Sequence, residues 1–199
     1  MNSARMSVAR RSSALALGGL IVGALVLVAT LTGCAVHPAG SPSTDPASPT
    51  DDGTVPPGTT VFDDDVAAVS RLNAQLRDAL RAASTAAQAD GVEVRINSGW
   101  RSTALQERLL RDAVETYGSP AEAARWVATP ETSPHVSGDA VDVGPWEAAE
   151  WLGRHGAPYG LCQIYINEAW HFELRTEAPT QGCPRMYLDP TEDPRMAPR

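Results

Sequence analysis

The chain contains no lysine. All 16 of its basic side chains are arginine, set against 24 carboxylates, for a formal net charge of −8 over 199 residues. An acidic surface without ammonium groups argues against nucleic acid as a partner and against adhesion to anionic lipid. No internal repeat is present, which excludes a repeat architecture. Large apolar residues are nearly absent from Ala35 to about Thr60, where Pro, Ser, Thr, Gly and Asp dominate. Such a stretch cannot bury a core, so residues 34–60 are expected to form a flexible tether, with His37 a solvated histidine within it.

What precedes the tether is its opposite. Arg5, Arg10 and Arg11 are followed by an uncharged apolar run from Ala14 to Leu31, closing on Leu31-Thr32-Gly33-Cys34. This is the layout of an export signal over residues 1–33. Its ending resembles the lipobox of bacterial lipoproteins, which implies lipid on Cys34 as the mature N-terminus. The alternative is an uncleaved membrane anchor, since the run approaches the length of a span. Either way the rest of the chain is expected outside the cytoplasm, lipid-anchored to the membrane in the first case. From Cys34 on, the chain holds 13 basic and 24 acidic residues, a formal net charge of −11. In that compartment two cysteines most often pair. Cys162 and Cys183 are therefore expected to form a disulfide, worth roughly 3 kcal/mol in the chain-entropy model. Two free thiols are the other possibility.

One domain is expected over residues 61–199, with a Pro-rich, irregular surface tail from Thr176 pinned by Cys183. Asp63 to Asp65 offer N-caps, and Val66, Val69, Leu72, Leu76 and Leu80 recur at helical spacing, predicting one helix to about Ala89. Val92, Val94 and Ile96 alternate with polar residues in a strand running to Trp100. Ser102 caps a helix carrying Leu105, Leu109 and Val114. Ser119-Pro120-Ala121-Glu122 is a capping box, predicting a short helix through Trp126. Ala140–Val143 reads as a strand, and Glu147–His155 as a helix stopped by Gly156. Leu161–Ile166 and Trp170–Leu174 read as two more strands. Helices first and strands later, without βαβ alternation, predict an α+β fold with a mainly antiparallel sheet flanked by helices.

Three segments carry chemistry. In His135-Val-Ser-Gly-Asp-Ala-Val-Asp142, Pro134 and Gly138 disfavour a helix, which places His135 in a loop and Asp142 on the strand that follows. Asp139 competes for the role of ligand. Val141 and Val143 facing the core would turn Asp142 to the opposite face, which favours Asp142. In Glu168-Ala-Trp-His171, Trp170, Phe172 and Leu174 are expected to enter the core, so that His171 and Glu173 share the other face. Two histidines and one carboxylate form a three-ligand set that leaves a coordination position open, as catalytic zinc sites require. Glu168, not a ligand, is placed to take a proton from water there. It could equally be a solvated turn carboxylate. Glu173 reads as a hydrogen-bonding or ion-pair partner. His155, in a last helical turn, reads as structural. Arg101 in Ser98-Gly-Trp-Arg-Ser102 is either an exposed charge or a guanidinium holding substrate carboxylate or oxyanion.

Together these segments resemble the zinc D-alanyl-D-alanine carboxypeptidases and dipeptidases, a family that includes vancomycin-resistance enzymes and shares a fold with the hedgehog signalling domain. The family's pattern is Ser-Gly-(Tyr/Trp)-Arg-Ser, Ser-x-His-x-x-Gly-x-Ala-x-Asp, and Glu-x-Trp-His. It is met in order and spacing by Ser98–Ser102, Ser133–Asp142 and Glu168–His171. The second position of the last motif, commonly proline, is Ala169. The resemblance implies one zinc per chain on His135, Asp142 and His171, with Glu168 as catalytic base. It implies that Arg101 acts on the substrate or transition state, and that Ser133 and Gln106 help to bind substrate. It further implies a peptidoglycan stem peptide as substrate, losing its terminal D-alanine to a monomeric enzyme. A cell-wall endopeptidase on the same scaffold and a non-catalytic, zinc-containing wall-binding domain are the alternatives. An intact Glu168 and Arg101 count against the last of these.

Overall fold

Four short antiparallel strands organise the molecule, in the order β1-β2-β4-β3: β1 is Arg95–Ser98, β2 Ala140–Gly144, β3 Leu161–Gln163 and β4 His171–Leu174. The computed structural model describes residues 51–197, all within one compact unit, Ser43–Arg199. The expected export signal, Cys34 and the first part of the tether lie outside the described residues. Among the described residues no helix is long and apolar enough to cross a membrane.

The fold is α+β with an antiparallel sheet. Along β2, Val141 and Val143 are buried in the core together with Phe172 of β4 and Ile96 of β1. Two helices cover this face. The first, α2 (Ala74–Ala89), presents Leu76, Leu80, Ala83 and Ala87. The second, α6 (Trp146–His155), presents Ala148, Ala149, Trp151 and Leu152. These side chains recur at the helical period, and burying such a stripe is what holds an amphipathic helix on a sheet. Register then sets up the chemistry. Asp142 stands directly opposite His171 in the β2–β4 ladder, and Ser98 pairs with Asp142 across a bulge in β1. Facing residues in such a ladder bring their side chains together on one side of the sheet.

The structure corrects several expectations. The single helix to Ala89 is two: α1 (Ala67–Ser70) and α2. Asn73 breaks it, its side chain capping α2 at the amide of Gln75 while its own amide donates to the Gly138 carbonyl at 2.8 Å. The break therefore ties the helix to the His135 segment. That segment is no loop. Pro134–Ser137 forms a single helical turn, α5, with proline at its start and Gly138 closing it at φ 80°. Proline is tolerated at a first helical position and glycine at the residue after a helix, so the two bound a turn here rather than prevent one. A side chain at Gly138 would also meet the Arg71 carbonyl at 2.6 Å.

β1 begins only at Arg95, although Val92 and Val94 are still buried. The helix after Ser102 is α3 (Thr103–Tyr117), capped as expected by the Ser102 hydroxyl. The next, α4, covers only Pro120–Ala123. β3 stops at Gln163, after which Tyr165 pairs instead with Tyr187 in an isolated bridge. The tether boundary moves as well, because residues 51–60 lie on the domain. The Asp52 carbonyl accepts from the Ser102 amide at 2.8 Å, and the Asp52 carboxylate pairs with Arg108 at 2.8 Å. The Thr59 carbonyl accepts from Ile96 at 2.8 Å, extending the edge of β1.

Cys162 and Cys183 form the expected disulfide, with Cα atoms 5.5 Å apart. The chain beyond it is more than a surface tail. After α7 (Ala178–Gln181) it returns as two short 3₁₀ turns, Pro190–Glu192 and Pro194–Met196, each capped by an aspartate, Asp189 or Asp193, that is itself buried.

Candidate active site

His135, Asp142 and His171 converge. One donor atom from each lies within 4.8 Å of the others, and all three residues are buried. The Asp142 Oδ1 is 3.4 Å from His135 Nε2 and 3.2 Å from His171 Nδ1. Two donors on one tetrahedral zinc at its usual bond lengths stand about 3.4 Å apart, so these separations fit a single ion.

The other ring nitrogen of each histidine is committed. His135 Nδ1 lies 2.8 Å from the Gly99 carbonyl, which can only accept, so Nδ1 carries the proton and Nε2 offers its lone pair inward. Burial, reinforced by the charge of Arg101, holds the His135 pKa below its ordinary value, keeping the ring neutral. The turn that presents this carbonyl needs glycine, since a Cβ on Gly99 would sit 2.1 Å from the Ala68 carbonyl oxygen. On the other side, His171 Nε2 lies 3.2 Å from Glu173 Oε1, leaving Nδ1 to face Asp142. Burial alone would lower the His171 pKa, but hydrogen bonds to Asp142 and Glu173 prevail and push it up to about 9.

Arg101 and Gln106 brace the carboxylate. Arg101 Nη2 donates to Asp142 Oδ2 at 2.7 Å, its Nε to Ser98 Oγ at 2.6 Å and its Nη1 to Gln106 Oε1 at 3.2 Å. Gln106 Nε2 in turn donates to the Ala128 carbonyl at 2.8 Å. Both ends of the Gln106 amide are thus used within the protein. Gln106 also lines the cavity beside the cluster, and Arg101 contacts the oxygen of Asp142 that faces away from the histidines. Burial would raise the Asp142 pKa, yet the two histidines and Arg101 hold it well below the usual carboxylate range.

Glu168 and Ser133 lie beside the cluster with polar atoms to spare. Glu168 Oε2 is 3.7 Å from His171 Nδ1, while its Oε1 is buried with no partner. Burial, with a smaller push from Asp142, raises its pKa to about 7 against the opposing charges of His171 and Arg101. Ser133 sits at the N-cap of α5, where a serine hydroxyl ordinarily accepts from the first turn. Here it does not, and its buried Oγ has no partner. Both residues line a cavity of about 260 Å³ together with His135, Asp142 and His171. Asp139, the competing carboxylate, is turned away and accepts from Asn73 at 3.2 Å.

The sequence did not point to the outer wall of this cavity. Trp170, expected in the core, precedes β4, is partly exposed and lines the cavity. Tyr117 and Trp126, stacked with ring centroids 5.6 Å apart, form another part of the wall, and Pro190 and Met196 of the C-terminal segment a third. Tyr117 precedes Gly118 at a helix end, and an exposed aromatic there was the one available signal.

A family model, that of the VanY-type D-alanyl-D-alanine carboxypeptidases, matches residues 69–177, more than half of the chain. The chain belongs to this family. It is 30% identical over 150 residues to a D-alanyl-D-alanine carboxypeptidase of Enterococcus faecalis, a match covering 60% of this chain and 56% of that protein. The match thus spans little more than half the length of that curated relative. Among solved structures, VanYB in complex with D-alanine-D-alanine is similar at 29% identity and a TM-score of 0.51, over 55% of this chain and 75% of that one. A zinc-bound mutant of a vancomycin-resistance D,D-pentapeptidase VanY is 28% identical with a TM-score of 0.49, over 52% of this chain and 72% of that one. All the expected site residues from Ser98 to His171 fall inside the family match. The C-terminal wall at Pro190 and Met196 falls outside it.

Proposed function

We propose that the protein is a zinc carboxypeptidase that removes the terminal D-alanine from peptidoglycan stem peptides. It would act outside the cytoplasm, held to the membrane by lipid on Cys34 and a tether. The single observation that carries this reading is the convergence of a buried His135–Asp142–His171 donor set with Glu168, whose free carboxylate oxygen is buried beside it. The donor set suits zinc, because two imidazole nitrogens, the one on His171 giving up its proton to the metal, and one carboxylate leave a coordination position open. A purely structural site would close that position and would have no use for a partnerless carboxylate next to it.

Bound zinc supplies Lewis acidity toward the scissile carbonyl and the attacking water. The remaining work belongs to the chain. Glu168 takes the proton from the attacking water as its oxygen bonds to the carbonyl carbon. It then delivers that proton to the D-alanine nitrogen as the C–N bond breaks. A carboxyl whose pKa is raised to about 7 can do both near neutral pH. Ser133 Oγ has a free proton to donate, which suits the terminal carboxylate of the substrate. Arg101, anchored on Ser98 and Gln106, fixes Asp142. D-alanyl-D-alanine as the recognised end is supported by the family and by the ligand of the VanYB structure.

The deciding experiment incubates the zinc-loaded protein with defined stem peptides ending in D-alanine and weighs the products. Loss of one alanine mass is expected. Two internal fragments would indicate an endopeptidase instead, and unchanged peptides a binding domain.

A further inference from the structure

The strongest feature that the mechanism leaves unused is Glu173. It is 1% exposed yet carries two arginines. Arg195 grips it with both guanidinium nitrogens, Nη1 to Oε2 at 2.6 Å and Nη2 to Oε1 at 3.1 Å, and Arg175 adds a bond to Oε2 at 2.9 Å. Glu173 Oε1 is also the partner of His171 Nε2 at 3.2 Å. Arg195 comes from the last 3₁₀ turn, 22 residues further along the chain and beyond the family match. Its own orientation is set by Asp193, both of whose carboxylate oxygens accept from Arg195 Nε at 3.0 Å. Asp193 is held in turn by the Tyr165 hydroxyl at 2.9 Å, and the Tyr165 ring packs 5.1 Å from that of His171.

This is an unbroken chain of contacts from the C-terminal segment to a candidate metal ligand. Two guanidinium groups fix the plane of the Glu173 carboxylate, because a bidentate arginine allows one orientation. Glu173 held in that plane meets His171 at Nε2, and so leaves Nδ1 as the nitrogen presented to the site. Carboxylate partners of this kind raise ligand basicity and fix the tautomer at metal sites generally.

We infer that Arg195 is a positioning residue for the metal centre, acting through Glu173 on His171, and that the C-terminal segment Asp189–Met196 is part of the active site. The same segment contributes Pro190 and Met196 to the cavity wall, so one stretch of chain both shapes the pocket and orients a ligand. The inference rests on the reading of His171 as a zinc ligand.

The test compares the full chain with Arg195→Met and Arg195→Lys, each checked for folding by circular dichroism. Zinc affinity is measured by competition with a chromophoric chelator, and the visible spectrum is recorded after substitution with cobalt. Arg195→Met is expected to weaken zinc binding about 10–100-fold and to alter the cobalt spectrum. Arg195→Lys, which keeps the charge but loses the fork, is expected to recover part of the affinity. Should Arg195→Met fail to fold, Arg195→Lys decides, through a measurable loss of affinity or none. Wild-type affinity and spectrum in the folded variants would overturn the relay while leaving the metal centre intact. Failure of the wild type to bind zinc at all would overturn the metal centre, and the relay with it.

Discussion

The inner and outer halves of the site are held by different forces. The inner half, His135, Asp142 and His171, is fixed by backbone. Asp142 and His171 face each other in a sheet ladder, and His135 is tied to the Gly99–Arg101 turn through its ring and its carbonyl, which accepts from the Arg101 amide at 3.1 Å. The outer half, residues 189–196, has no strand of its own. It is held by the Arg125–Asp189 pair at 2.8 Å, by Asp193 and Arg195, and through the disulfide that returns the chain toward β3. Ladder contacts give way only when the sheet does, whereas ion pairs and a disulfide respond to pH, salt and reductant. The candidate metal set is therefore built on the sheet ladder, and its cover on side-chain ties that meet the set through the Arg195–Glu173 contact.

Changes to the inner half should have the largest effects. His171→Ala leaves two ligands, which hold zinc poorly, so both zinc and activity should vanish while the fold persists. Metal analysis of the purified variant checks this, and full zinc occupancy would show that the ligand set is wrong. Arg101→Lys comes next. An ammonium cannot reach Asp142, Ser98 and Gln106 together, so zinc affinity should fall about 10–100-fold, the range seen for lost partners of metal ligands. Chelator competition measures it, and an unchanged affinity would reduce Arg101 to a substrate contact.

Changes to the outer half that leave the Arg195–Glu173 contact in place should spare zinc. Replacing Cys162 and Cys183 by serine together opens a loop between residues 21 apart in sequence, which should cost roughly 3 kcal/mol in denaturant unfolding. Loss of zinc in the folded variant would mean that the two halves are not separable. The smallest effect concerns acid. Burial would raise the pKa values of Asp189 and Asp193, but hydrogen bonds outweigh it and lower both, from Thr191 and Arg125 at Asp189 and mainly from Arg195 at Asp193. Their stabilisation is complete above the ordinary aspartate value of about 3.9 and is lost as pH falls through the lower folded values. Hydrogen exchange should therefore show residues 189–196 opening below about pH 4 before the sheet does. Simultaneous opening of both would erase the distinction.

The same contrast explains what could be read from the sequence. Alternation of Val141, Asp142 and Val143 and of His171, Phe172 and Glu173 is a property of neighbouring residues, so the sheet face carrying the candidate ligands was legible, as were α3 and its Ser102 cap. Glu168 was visible through its motif, but its burial was not. The break at Asn73 was hidden because the apolar spacing runs straight through it, and only the distant Gly138 carbonyl explains it. The turn at α5 was misread because proline and glycine, taken as breakers, serve as its two ends. Arg195 left no trace at all. An arginine in a Pro-rich tail looks solvated until the fold places Glu173 beneath it.

The central claim, that Glu168 does the proton transfer at a zinc site built by His135, Asp142 and His171, is tested most directly by Glu168→Gln. The substitution is nearly isosteric and leaves all three ligands in place, so zinc content and folding should match the wild type. Only the proton carrier disappears. General acid–base catalysis of this kind is worth on the order of 10²–10⁴ in rate, and kcat on a stem peptide should fall by at least that much with KM little changed. A variant that holds its zinc and still turns over at close to the wild-type rate would contradict the account.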